Sequence, residues 1–121
     1  GIEKKNEEEA KRNLTSYSFQ KLFLRSVELS KELSMETNPS GDVALWPHYK
    51  DRDGVDTVII KTGERCSCHS RIAFLYQCGH ELAVDIKFDL GKYNDRWLMT
   101  RVFHLYTKNN YFQVMAKKIL V

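Results

Sequence analysis

Cys66-Ser67-Cys68-His69-Ser70-Arg71-Ile72-Ala73-Phe74-Leu75-Tyr76-Gln77-Cys78-Gly79-His80 holds all three cysteines of this 121-residue chain and two of its four histidines. A C-x-C pair on an extended segment places both sulfurs on one face, because side chains alternate with a period of two. Cys78-Gly79-His80 repeats that geometry, and the residues after it read as a helix. Three thiolates and one imidazole form a complete tetrahedral donor set for Zn2+, with no position left for a water. The spacing therefore predicts one structural rather than catalytic zinc ion on Cys66, Cys68, Cys78 and His80. Rival readings are buried cysteines acting as small hydrophobes, or a Cys/His nucleophilic pair, for which no third orienting group is evident. A disulfide is disfavoured, since Cys66 and Cys68 are too close and an odd count strands one thiol. His69 adjoins Cys68 and so points to the other face of an extended chain, which makes it the alternative ligand. His48 and His104 default to surface or satisfied core positions. The formal −1 charge of a three-thiolate zinc site calls for Arg65, Arg71 or backbone N–H groups to offset it.

Working outward from the ligands, Asp42 to Trp46 and Asp56 to Lys61 are rich in strand formers. Pro47 ends the first, and Asp51-Arg52-Asp53-Gly54 has turn composition. They are expected to pair as a hairpin, with a third short strand after Thr62-Gly63 leading into Cys66. Trp46 is placed near the metal or under a helix. Upstream, Thr15 or Ser16 can cap a helix over about 16 to 34, with Phe19, Leu22, Phe23, Val27, Ser30 and Leu33 on one side. Asn38-Pro39-Ser40-Gly41 then breaks it. Residues 3 to 12 are nearly all charged and read as a solvated helical lead-in or a frayed tail. Downstream, Leu82, Ala83, Ile86 and Leu90 have helical spacing, with Gly91 beyond the helix end. Asn94 can cap a further helix through Trp97, Arg101 and Leu105, and Tyr111 to Val121 fits either helix or strand. The fold class is thus α+β: a small zinc-stabilised domain with an N-terminal amphipathic helix, a short antiparallel β-hairpin or three-stranded sheet, and two or three C-terminal helices. Residues 1–13 are the charged lead-in and 14–121 one domain, its finger core at about 42–90.

Hydrophobic residues make up 42% of the chain, enough for a folded core at this length. No apolar run approaches the roughly 20 residues of a membrane helix, and no signal-peptide pattern opens the chain. Thiols kept reduced for metal point to the nucleus or the cytoplasm. The net charge of +3 permits nucleic-acid binding without requiring it. Opening on Gly1 rather than Met, the sequence reads as a fragment of a longer protein.

C-x-C, a short variable stretch and C-x-H over residues 42 to 90 resembles the SWIM-type zinc finger. In that family a strand pair precedes the first two ligands and a helix carries or follows the last. The resemblance implies the same four ligands, Cys66, Cys68, Cys78 and His80. Tyr76-Gln77 departs from the small or proline-containing approach to the third ligand that the family often shows. Leu14-Thr15-Ser16-Tyr17-Ser18-Phe19 and Arg96-Trp97 are similar to segments flanking the finger in Mutator-like transposases, and the latter also in plant far-red-impaired-response transcription factors. That context extends the resemblance to residues 14 to 98. Those transposases carry their chemistry in a separate RNase-H-like domain with three metal-binding acids, which nothing here resembles, so no enzymatic activity is expected of this chain.

Two functions follow. The first is a nucleic-acid-binding module, probed by DNA, with Arg71, Lys87, Lys92, Arg96 and Arg101 as candidate phosphate contacts. Glu81, Asp85, Asp89 and Asp95 interleave with these cations and blunt any positive patch. The second is a protein-interaction module, as the resemblance to host proteins derived from transposases and to substrate receptors of cullin-type ubiquitin ligases implies. Neither a membrane nor a small-molecule substrate is expected as a partner.

Overall fold

A computed structural model describes residues 1 to 100 and is α+β. The expectations for Arg101, for the helix through Leu105 and for residues 111–121 lie outside the described residues. Helix α1 (Ile2–Asn13) has Glu3 in its first turn and Lys11 and Arg12 in its last, charges that complement the helix dipole. The charged lead-in is no loose tail. Ala10 is fully buried, and Asn6 donates to the Ile86 carbonyl at 2.8 Å while accepting from the Phe88 N–H at 3.0 Å.

Thr15 caps the next helix, its hydroxyl accepting from the Ser18 N–H at 3.2 Å. Helical dihedrals run on through α2 (Ser16–Ser18), a π-helical stretch (Phe19–Phe23) and α3 (Leu24–Lys31). The predicted apolar stripe is present, with Leu22 and Phe23 buried, but serines share it. Ser18 donates to the Trp97 carbonyl and Ser26 to the Gln77 carbonyl, both at 2.8 Å, so their burial leaves no hydroxyl unsatisfied. Phe23 stacks on Phe19 and meets Phe88 edge-on, each with ring centroids 5.7 Å apart, which places the centre of the core here.

The helix stops at Lys31, short of the expected 34, because Leu33–Thr37 is strand β1. It pairs antiparallel with β2 (Val43–Pro47), Met35 opposite Leu45, and β2 pairs antiparallel with β3 (Val58–Ile60), Leu45 opposite Val58. The hairpin of the two sequence-read strands is therefore correct, whereas the third strand lies before them and residues 62–66 form none. Asn38-Pro39-Ser40-Gly41 is the β1–β2 turn. The Asn38 side-chain oxygen accepts from Ser40 N–H, Ser40 Oγ and Asp42 N–H, and Gly41 takes a φ of +91° that other residues resist. Val43, Leu45 and Ile60 face the core, while Trp46 is half-buried with the Arg52 guanidinium 6.0 Å from its ring centroid.

Asp42 ties this turn to the end of β3. Its carboxylate accepts from the Thr62 N–H at 3.0 Å, and that bond holds its pKa below the ordinary carboxylate value. Such a group stabilises the fold fully above its unfolded pKa, and the contribution is lost as pH falls through the folded value. Asp42→Asn is therefore expected to flatten the acid limb of a thermal stability profile below about pH 4. An unchanged limb would rule the contact out as a contributor.

Two short helices follow, α4 (His69–Phe74) and α5 (Gly79–Asp85), the second packed along α3. The expected helix from His80 to Leu90 ends early, because Ile86 adopts the left-handed conformation (φ 67°) and stops α5, a role expected of Gly91. Leu90–Lys92 and Asp95–Trp97 are single 3-10 turns, Asn94 capping the second by accepting from Arg96 N–H at 3.0 Å. None of the helices among the described residues is long and apolar enough to cross a membrane.

Candidate metal centre

The segment from β3 reaches Cys66 without regular structure, and each later cysteine of the cluster opens a helix. Cys68 caps α4, its sulfur accepting from the Arg71 N–H at 3.4 Å, and Cys78 caps α5, accepting from the Glu81 N–H at 3.5 Å. Cys66 accepts from the Cys68 N–H at 3.4 Å. Every sulfur thus receives a backbone donor. The four ligand atoms of Cys66, Cys68, Cys78 and His80 all lie within 4.8 Å of one another, with Cys78 Sγ 3.8 Å from His80 Nδ1. Metal–sulfur bonds of about 2.3 Å in a tetrahedron set sulfurs ~3.8 Å apart. The cluster is close enough to hold one metal ion and is compatible with a zinc finger. His69, at the start of α4, is exposed and outside it.

Left to protons alone, Cys68, Cys78 and His80 hold them unequally. Hydrogen bonds from Cys66 and Cys78 pull the half-exposed Cys68 thiol down, while bonds to Cys66 and Cys68, with burial, push Cys78 up. Burial opposes charging of His80, but Cys66 and Cys68 outweigh it and raise the imidazole to about 9. A metal cation replaces these protons and satisfies all four groups at once.

Glu81 is the residue that sequence reasoning misses. Its spacing suits a solvated acidic face, yet its side chain is only 2% exposed. Arg65 grips it with Nε at 2.5 Å and Nη2 at 3.1 Å, Lys92 Nζ lies at 3.6 Å and Arg71 Nε at 3.7 Å. Lys92 also pairs with Asp85. Glu81 Oε1 stands 3.9 Å from Cys78 Sγ, so once a metal takes the thiol proton an anionic sulfur and a carboxylate would be neighbours. Three cations around them offset that repulsion and the negative charge of a three-thiolate centre. The expected compensators Arg65 and Arg71 are both among them.

Gln77 shows why the departure at Tyr76-Gln77 fits this fold. Fully buried, it donates to Asp85 Oδ2 at 3.0 Å and to the Lys87 carbonyl at 2.9 Å, and accepts from the Asp89 N–H at 3.0 Å. It pins the chain beyond α5 beside the ligand that follows it. Gly79, between two ligands, faces Leu29 so closely that an added Cβ would lie 2.6 Å from the leucine side chain. Gly79→Ala is expected to cost about 1–3 kcal/mol by overpacking. Adding Leu29→Gly, which also removes the Leu29 Cβ 2.6 Å away, should recover part of it in a double-mutant cycle, and strict additivity would show that the contact does not matter.

Four of the candidate phosphate contacts, Arg71, Lys87, Lys92 and Arg96, fall among the described residues. Arg71 and Lys92 are engaged with Glu81, Lys87 is exposed, and exposed Arg96 lies over the Trp97 ring at 4.5 Å from its centroid. Compared with known protein families, characterised proteins and solved structures, the chain matches none of them.

Proposed function

We propose that the chain is a structural-zinc module of SWIM type that binds nucleic acid, part of a transposase-derived nuclear protein, and not an enzyme. The observation that carries this reading is the convergence of the C-x-C and C-x-H donors to within 4.8 Å. Three sulfurs and one nitrogen are the donors that tetrahedral zinc prefers, and four protein ligands leave no position for a reactive water. The ion then serves to fasten α4 and α5, and the exterior does the recognition. Zinc stoichiometry by elemental analysis tests the first part, with one equivalent expected. Titration with DNA at two salt concentrations tests the second: affinity should fall steeply with salt as counterions are released.

Exposed apolar side chains support a second reading, a protein-interaction module in the nucleus or cytoplasm. Ile59, Ile72 and Ile86 are each 57% exposed. Absence of DNA binding at low salt would select it.

A further inference from the structure

We propose that the groove between the α2–α3 helix and the inter-ligand helix α4 binds a single strand of nucleic acid. Lys21 and Arg25 would hold its phosphates, and Tyr17 and Phe74 would lie against its bases. The inference rests on the nucleic-acid reading above and places it on a surface other than the acid-interleaved one after the finger.

The groove has a volume of about 330 Å³ and runs between Lys21, Arg25 and Tyr17 on one side and Ser70, Phe74 and Tyr76 on the other. Lys21 and Arg25 are both exposed and stand one helical turn apart. Among the described residues neither has a carboxylate within ion-pair distance, and no acid lines the groove. Four other grooves on the described surface each contain at least one Asp or Glu. In a chain with 16 acids against 19 Lys and Arg, unopposed positive charge in a concavity is the local exception. It matches the charge of a phosphate backbone.

The aromatic side chains argue for unpaired bases. Tyr17 is 55% exposed and Phe74 41% exposed, a costly display of ring surface unless a partner covers it. Tyr17 is held in place by stacking on Trp97, with centroids 5.8 Å apart and planes at 23°. The Trp97 indole N–H donates to the Phe74 carbonyl at 2.6 Å, and Arg96 reaches the same carbonyl at 3.5 Å. The rings therefore form a fixed shelf beside the cations. A duplex buries its base faces in its own stack, whereas a single strand offers them.

The test uses the zinc-loaded chain and fluorescence anisotropy with labelled oligo-dT, oligo-rU and a mixed-sequence duplex at two salt concentrations. Tighter binding of a single strand than of the duplex is expected, the two oligonucleotides separating DNA from RNA as its source. Lys21→Glu/Arg25→Glu should weaken it at least tenfold and lower the salt slope by about 1.4, since each phosphate contact on a single strand contributes ~0.7. Tyr17→Ala should weaken it severalfold, and the exposed Lys5→Glu on α1 should leave it unchanged. If the double charge reversal shifts the melting temperature, Lys21→Gln/Arg25→Gln replaces it with a smaller expected loss. Undiminished binding by the charge variants, or a loss carried by Lys87→Glu instead, overturns the groove while leaving nucleic-acid binding intact. No binding of any oligonucleotide at low salt overturns both, and selective capture of a phosphopeptide through Lys21 and Arg25 assigns the groove to a protein ligand.

Discussion

Cys78→Ser is expected to lose the metal ion and to unfold the chain around it, an effect that only loss of another of the four donors should match. Serine still caps a helix, so the N–H of Glu81 keeps an acceptor and the loss isolates the ion from the cap. Structural zinc contributes on the order of 10–16 kcal/mol in small zinc peptides, as much as the whole stability of a domain. Elemental analysis should find less than one equivalent of zinc, and near-UV dichroism should show Tyr76 and Tyr93 released from their buried places beside the centre. Chelation of the parent protein should reproduce the same spectrum. A serine variant with a full equivalent of metal and an unshifted melting temperature would refute the ligand assignment.

The second large effect is expected at Glu81. Glu81→Ala removes the shared partner of Arg65, Arg71 and Lys92 and leaves three like charges facing one another. Breaking a buried ion pair costs about 3–5 kcal/mol. The lower end applies because the surviving side chains are 20–36% exposed and can turn to water. A loss of about 3 kcal/mol would lower the melting temperature by more than roughly 10 °C. Glu81→Gln keeps hydrogen-bond acceptance without the charge and should fall between the two. Equal melting points for all three proteins would show that the ion cluster is ornamental.

The cluster of four donors is legible in the sequence because thiol and imidazole donors in two x-separated pairs within fifteen residues suit an ion better than a core or a disulfide. The β2–β3 hairpin is legible through Val58-Ile59-Ile60 and the turn that precedes it. Strand β1 is not, since Leu33 continues the helical period and Ser34-Met35-Glu36 carries no β-branched signal; only pairing with β2 makes it a strand. Helix α4 is hidden because its six residues lie between ligands, where the cap at Cys68 does the nucleating. Ile86 reads as one more apolar helix position, whereas its left-handed backbone is set by tertiary contacts, with Asn6 of α1 bonded to its carbonyl. Glu81 is illegible for a related reason. Its partner Arg65 is sixteen residues away, and an acid followed by Asp85 at helical spacing looks like a wetted face until the chain folds.

The strands from Leu33 to Ile60 contain none of the four donors, while the segment from Cys66 to His80 carries all of them. Amide hydrogens in β2 should therefore outlast those of α4 and α5 in deuterium exchange when zinc is scarce. A protease added under those conditions would find its first cut between Arg65 and Lys87, leaving the hairpin whole.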